Sequence, residues 1–173
     1  MHYSELKPHD VANGTGVRVS LFCSGCEHAC PGCFNPQAWQ FSYGKPFTDE
    51  TAAQVIELMR PKHIRGLTLL GGEPLHPRNR AAVLSLLVQV RQQFPRGEVE
   101  TGKDIWCYTG YVFEELLADE GAHAVLAQID VLVDGRFMQS RKSLNTRFRG
   151  SDNQRVLDCN ASLRTGRAVE IFQ

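Results

Sequence analysis

Apolar residues recur along this chain in two rhythms. Val17-Arg18-Val19-Ser20-Leu21-Phe22 alternates and is rich in β-formers, which predicts a first strand. From Asp49 to Arg60, Ala52, Val55, Ile56 and Met59 fall at helical spacing behind Thr48, a suitable N-cap. The short run Leu67-Thr68-Leu69-Leu70 reads as a second strand, buried on both faces and stopped by Gly71-Gly72-Glu73-Pro74. Arg78 to Phe94 carries Val83, Leu86, Leu87, Val90 and Phe94 on one stripe and predicts a helix. Ile105-Trp106-Cys107-Tyr108 is a third strand, helical segments occupy about Val112 to Gln128, and Asp130-Val131-Leu132-Val133 is a fourth strand ended by Asp134-Gly135. Pro95 to Gly102 reads as loop, including the insertion-like stretch from Gly97, and Arg136 to Asn153 is polar, basic and without a clear preference. Near the end, Thr165-Gly166 between Ser162-Leu163-Arg164 and Arg167-Ala168-Val169-Glu170-Ile171 predicts a hairpin.

Strands alternating with helices imply βαβ units and a parallel sheet, hence an α/β fold class. The cysteine-rich loop after the first strand, the GGEP turn, Thr109-Gly110-Tyr111 and Asp134-Gly135 each follow a predicted strand. In parallel α/β folds ligands bind at the carboxyl ends of strands, so order alone gathers these motifs on one side of the sheet. No repeat or low-complexity linker divides the 173 residues, which fit one domain over 1–173.

Charge narrows the partners. Nineteen basic and nineteen acidic side chains cancel, which argues against nucleic acid, whose phosphates reward a basic excess. The N-terminus has no apolar signal region and no run approaches a membrane span, so the expected setting is cytoplasmic, with no membrane partner and with cysteines kept as thiols.

Eleven residues, from Cys23 to Cys33, hold four of the six cysteines. Thiolates at that density select a soft metal centre: an iron–sulfur cluster, zinc or copper(I). In Cys26-x3-Cys30-x2-Cys33 three sulfurs on a four-iron cube would leave one iron without a protein ligand. Two other readings use the same residues. Cys23-x2-Cys26 with Cys30-x2-Cys33 makes a four-cysteine zinc knuckle, although structural zinc pairs usually sit farther apart. Cys23-x2-Cys26-x3-Cys30-Pro31 copies part of a bacterial ferredoxin motif, but leaves GGEP unexplained. Cys23, at a strand end, is expected to be a structural thiol, Cys107 and Cys159 buried bystanders, and His28 a solvated loop residue.

Cys26-x3-Cys30-x2-Cys33-Phe34 followed by Gly71-Gly72-Glu73-Pro74 resembles the radical S-adenosylmethionine (SAM) superfamily. The resemblance implies an incomplete (β/α) barrel of parallel strands. It also implies a 4Fe-4S cluster on Cys26, Cys30 and Cys33, with SAM chelating the fourth iron through its methionine group. An electron from the cluster splits SAM, and the resulting 5′-deoxyadenosyl radical abstracts a hydrogen atom; cluster and SAM carry the chemistry, so no side chain is assigned as a catalytic acid, base or nucleophile. By the same resemblance Gly71, Gly72 and Glu73 meet the methionyl amine, and Gly32, Cys33 and Phe34 meet adenine. Asn35 orients that segment, and Thr109 and Asp134 reach ribose or partner unless each only caps a turn.

Further along, the chain is similar to the activating components of anaerobic (class III) ribonucleotide reductase. The residues that carry this are Asp10 to Arg18, Leu21-Phe22, Cys26 to Asn35 with Trp39, and Gly71 to Pro77. Trp106 to Tyr111, Val131 to Gly135, and Arg149-Gly150-Ser151-Asp152-Asn153-Gln154-Arg155 complete the set, the last being the most family-specific. The implied substrate is a glycine backbone near the C-terminus of the large reductase subunit, converted to a glycyl radical. Reduced flavodoxin is the implied electron donor, and a homodimer within a heterotetramer is one assembly this allows. Arg136, Arg141, Lys142, Arg147, Arg149 and Arg155 put positive charge late in a neutral chain, either to dock that partner or as a solvated face. One departure is Asn13-Gly14-Thr15-Gly16, where the family often has Asn-Gly-Pro-Gly; loss of the proline is expected to loosen that loop. The competing functions are activation of another glycyl-radical enzyme of the pyruvate formate-lyase type, radical chemistry on a pterin-derived small molecule, and a metal-stabilised binding module without catalysis.

Overall fold

The computed structural model describes residues 1–97 and 102–172. A single eight-stranded sheet organises the chain, in the order β3-β1-β2-β4-β5-β6-β7-β8. The strands are β1 (His2–Asp10), β2 (Val17–Cys23), β3 (Lys45–Pro46), β4 (Ile64–Gly71), β5 (Asp104–Tyr108), β6 (Val131–Asp134), β7 (Arg155–Asp158) and β8 (Glu170–Phe172). β2, β4, β5 and β6 are parallel, as the alternation of elements predicts. The flanks differ from the expectation of parallel strands throughout: β1 and β3 on one side, and β7 and β8 on the other, pair antiparallel. The sheet is mixed and does not close.

Helices α1 (Asp49–Met59), α2 (Pro77–Gln93), α3 (Phe113–Leu117) and α4 (Glu120–Leu126) fill the crossovers of the parallel strands. Thr48 caps α1, exchanging backbone and side-chain hydrogen bonds with Thr51, and Ala52, Val55, Ile56 and Met59 are buried as their spacing predicts. The helical segments expected over 112–128 are two, α3 and α4, because Asp119 caps a new start by accepting from the Gly121 N–H at 2.9 Å.

Register explains why the sheet has one structural and one open face. Val19, Leu67 and Ile105 align across the strands, as do Leu21, Leu69, Cys107 and Leu132. Both rows are fully buried in the main core with the helices. The intervening rows, Ser20-Thr68-Trp106-Val131 and Tyr108-Val133, face the other way. There Trp106, Val133 and Val156 form a small second core with Phe148 and Phe172.

The open face has a charged floor. Arg18 is 0% exposed, and its guanidinium lies 2.6 Å from Asp104 Oδ1. It donates from Nε to Thr68 Oγ1 at 2.7 Å, from Nη2 to the Leu67 carbonyl at 2.8 Å and from Nη1 to the Thr15 carbonyl at 3.1 Å. Thr68 in turn donates to the Asn13 carbonyl at 2.8 Å. The loop between β1 and β2 is thus fastened across the open face by side chains, without the family's proline.

Near the termini one strand is new and one expectation fails. β1 carries charged and histidine residues at nearly every second position and was not predicted. The hairpin at Thr165-Gly166 is instead the end of helix α5 (Cys159–Thr165), whose N-terminus Asp158 caps by accepting from the Ala161 N–H. Gly166 adopts φ 67°, the left-handed conformation that ends helices as readily as it turns hairpins. Gly166→Ala is expected to lower unfolding free energy by about 1 kcal/mol through backbone strain, read from the urea midpoint. Part of the loop predicted over 95–102 lies outside the described residues.

Candidate iron–sulfur and cofactor site

Three loops converge at the carboxyl ends of β2, β4 and β5. The cysteine loop curls because Gly25, Ala29 and Gly32 all have positive φ, at 96°, 47° and 74°. Gly25 is required at its position: a Cβ there would lie 2.1 Å from the Phe41 ring. That ring is held by Arg78, 3.7 Å from its centroid, and by His76. Backbone bonds from Gly25 N to Ala38 O (2.7 Å) and Cys26 N to Trp39 O (3.1 Å) pin the loop's start, and Cys33 N to Cys30 O (3.1 Å) tightens its end.

The second loop, Gly71-Gly72-Glu73-Pro74, is laced to the first: Gly72 N donates to Cys23 O at 2.7 Å and Glu73 N to Gly25 O at 2.8 Å. Asn79 of α2, 1% exposed, donates to both Ser24 O and Glu73 O. The third loop, Thr109-Gly110-Tyr111, meets the Glu73 carboxylate.

Between these loops and the open face lies a cavity of about 800 Å³. Cys26, Cys30, Gly32, Cys33, Phe34, Gly71, Gly72, Glu73 and Thr109 all line it, so nearly every residue predicted for the site is brought to one place. Asn35 is the exception, lining a separate hollow with Phe22 and Tyr43. Asp134 also stays away. Its 1% exposed carboxylate accepts from the Phe113 N–H at 2.7 Å and from Arg155 Nε at 3.0 Å, the turn-capping alternative.

The thiols divide by burial. Cys26, Cys30 and Cys33 are free and half-buried, whereas Cys23, Cys107 and Cys159 are fully buried. Burial pushes the Cys23 and Cys159 thiols up to about 12, and Cys107 well above the ordinary range. Cys23 points into the main core behind the sheet, which removes it from a four-cysteine zinc knuckle or a ferredoxin-type set. Cys26 is pushed up to about 11, chiefly by burial, so a metal binding here displaces a proton. Among the described residues no three His, Cys, Asp or Glu side chains surround one point as a single ion's ligands would. The three half-buried thiols instead form a wall of soft donors along the cavity, a donor set suited to an iron–sulfur cluster.

Several site residues escaped sequence reasoning. His28 is not solvated: its side chain is 7% exposed and its Nε2 lies 2.9 Å from Glu73 Oε2, with Tyr111 edge-on at 4.6 Å. Its position between two predicted ligands was the available signal. The stretch 136–153 is an irregular arm that returns over the cysteine loop, laying Gln139 against Gly32. Gln154 braces it, accepting from the Gly150 and Ser151 N–H groups and donating to the Gly135 carbonyl. The arm contributes Phe137, Lys142, Leu144, Phe148 and Arg149 to the cavity. Arg149 Nε is buried and has no hydrogen-bond partner among the described residues. Among the described residues no helix is long and apolar enough to cross a membrane.

Residues 12–157 match the family described as "4Fe-4S single cluster domain". The chain is 43% identical over 156 residues to the anaerobic ribonucleoside-triphosphate reductase-activating protein of Pasteurella multocida, covering 89% of this chain and 95% of that protein. The protein of the same name from Vibrio cholerae is 44% identical over 156 residues, 89% of this chain and 96% of the relative. The one from Enterobacteria phage T4 is 40% identical over 158 residues, 90% of this chain and 93% of the relative. With the cysteine loop, the GGEP turn and the braced arm built around one cavity, and likeness at this level over nearly the whole length, the chain belongs to the family of anaerobic ribonucleoside-triphosphate reductase-activating proteins.

Proposed function

We propose that this chain activates an anaerobic (class III) ribonucleoside-triphosphate reductase by generating a glycyl radical on its large subunit. The observation that carries the reading is the shared cavity: three free thiols and the Gly71-Gly72-Glu73 turn line one space, while the other three cysteines are buried elsewhere. On this reading the open mixed sheet is an incomplete barrel of the radical SAM type. Cys26, Cys30 and Cys33 hold a 4Fe-4S cluster, and SAM lies against it. When bound, cluster and SAM supply one-electron cleavage to a 5′-deoxyadenosyl radical that takes hydrogen from glycine.

The chain's own part is binding, orientation and exclusion of water. Backbone groups of Gly71, Gly72 and Glu73 receive the methionyl end, and Gly32, Cys33 and Phe34 the adenine. The orphaned Arg149 Nε is a buried donor suited to a ligand carboxylate. Trp39, Leu70, Tyr108, Phe137 and Phe148 give the cavity apolar walls.

The cavity mouth fits a protein partner. Phe34 and Leu144 are 76% and 94% exposed at its rim, with Lys142 beside them and Val11 exposed next to Ala12 of the wall. Apolar anchors with a cation beside them suit an acidic or neutral protein surface. Reduced flavodoxin as electron donor, a homodimer within a heterotetramer, and a cytoplasmic setting complete the proposal.

Anaerobic reconstitution with iron, sulfide, SAM and reductant tests it. The expected result is 5′-deoxyadenosine, and a glycyl-radical EPR signal when the reductase large subunit is added. A colourless zinc protein that leaves SAM intact would overturn the reading in favour of a binding module; a glycyl radical on pyruvate formate-lyase but not on the reductase would reassign the partner. Charge reversal at Lys142 and Arg147 together is expected to weaken the complex at least several-fold at low salt, and less at high salt.

A further inference from the structure

Glu73 is 1% exposed, yet it lies at the crossing of all three site loops. Its Oε1 accepts from the Leu75 N–H at 2.9 Å and from Thr109 Oγ1 at 2.8 Å. Its Oε2 accepts from the Gly110 N–H at 2.7 Å and lies 2.9 Å from His28 Nε2. A carboxylate offers about four acceptor positions, and here three protein donors and the His28 ring nitrogen occupy all four. The side chain has no lone pair left for a ligand amine.

We propose that Glu73 is a positioning residue, a buried knot that ties the cysteine loop, through His28, to the loop after β5, through Thr109 and Gly110. It presents the three thiols in register instead of touching the cofactor. The His28 ring is the one contact of the four whose hydrogen placement depends on its tautomer. His28 sits midway between Cys26 and Cys30, immediately before Ala29, whose φ of 47° is strained for a residue with a Cβ. A strained turn persists only where its surroundings hold it. The bond to Glu73 and the edge-on contact with Tyr111 are the restraints on this one. Thr109 takes the same role at one remove, orienting Glu73 and not meeting ribose. The inference rests on the cluster reading above and deepens it by separating residues that hold the metal loop from those that meet SAM.

The knot has a signature that direct contact lacks: loss of the Thr109 hydroxyl must be felt at the cluster with no SAM present. Thr109→Val keeps the shape and removes one of the four contacts, and Thr109→Ser restores it. Reconstituted wild type and variants, without SAM, are challenged with a ferrous chelator, and iron release is timed. SAM affinity of the loaded proteins and the urea midpoint of each apoprotein are measured in parallel. Thr109→Val is expected to lose iron about tenfold faster, the scale of one missing hydrogen bond to a buried charged group. Thr109→Ser should return to the wild-type rate, and the urea midpoint should not account for the difference. Glu73→Gln, which turns an amide donor toward existing donors, should lose iron faster still. Iron release at the wild-type rate in Thr109→Val, with SAM bound at least tenfold more weakly, would show direct contact and overturn the proposal, as would failure of Thr109→Ser to restore. Wild type that takes up no iron would instead defeat the cluster reading itself.

Discussion

Replacing Cys30 by alanine is expected to give a folded chain with no iron–sulfur absorbance after reconstitution and no 5′-deoxyadenosine, while Cys23→Ala keeps both. Three residues separate Cys26 from Cys30, and two separate Cys30 from Cys33; yet the contrast comes from the surroundings, not the spacing. Cys30 is half-buried on the cavity wall and belongs to neither hydrophobic core, so alanine there removes a ligand and little packing. A cluster left with two thiolates of three has no substitute among the remaining cysteines, which are all buried in the main core. Cys23 is 0% exposed and packed like a small apolar side chain. Its loss leaves a small void, for which about 1 kcal/mol of stability is the expected cost, read from the urea midpoint. Iron counted per chain decides the matter: about four in Cys23→Ala and near none in Cys30→Ala. Loss of iron in Cys23→Ala would return that thiol to the ligand set.

Arg18→Met carries the largest expected effect on stability, about 3 kcal/mol, because it strands what the guanidinium now satisfies. The Leu67 carbonyl and Thr68 hydroxyl lose donors inside the protein, and Asp104 loses its closer cation. Burial works against the charge on Arg18 and lowers its pKa, with Asp104 opposing that shift. The effect stays at the lower end of the range for broken buried pairs, because Arg65, largely exposed, still reaches Asp104 Oδ2 at 2.9 Å. Urea denaturation of Arg18→Met, Asp104→Asn and the double variant measures it. The double variant is expected to be more stable than the sum of the two losses predicts, since neither charge is then left alone. Strict additivity would mean that the pair is not coupled. The same substitution frees the Thr15 carbonyl, so faster amide exchange over residues 11–16 is its local counterpart.

What could be read from the chain and what could not divide along physical lines. The parallel strands declared themselves as short apolar runs, and α1 and α2 as stripes, because burial against the helix layer demands those periods. β1 did not: half-exposed and rich in His, Lys and Glu, it owes its place to pairing with β2 rather than to its own composition. At Gly166 two structures compete for one residue type, and sequence could not tell a helix end from a hairpin turn. The site followed the same rule. The cysteines and the GGEP turn are local patterns, legible at a glance. The bonds joining Glu73 to His28 and to Thr109 span 45 and 36 positions, and no local pattern announces them. Thr109 and His28 were each weighed as isolated loop residues, and their meeting on one carboxylate is a product of the fold.

The alternation of the parallel strands has a consequence for how such a chain can change. Every second side chain belongs to a saturated apolar layer behind the sheet, while its neighbours face the other way and only the strand ends, at Leu70, Gly71 and Tyr108, line the cavity. Repacking at the rear leaves the cavity's dimensions alone, and recontouring the loops at the strand ends spares both the apolar layer and the Arg18 floor that keep the protein folded. Robustness therefore sits along the strands and specificity at their carboxyl ends, where selection or an engineer can adjust one without renegotiating the other.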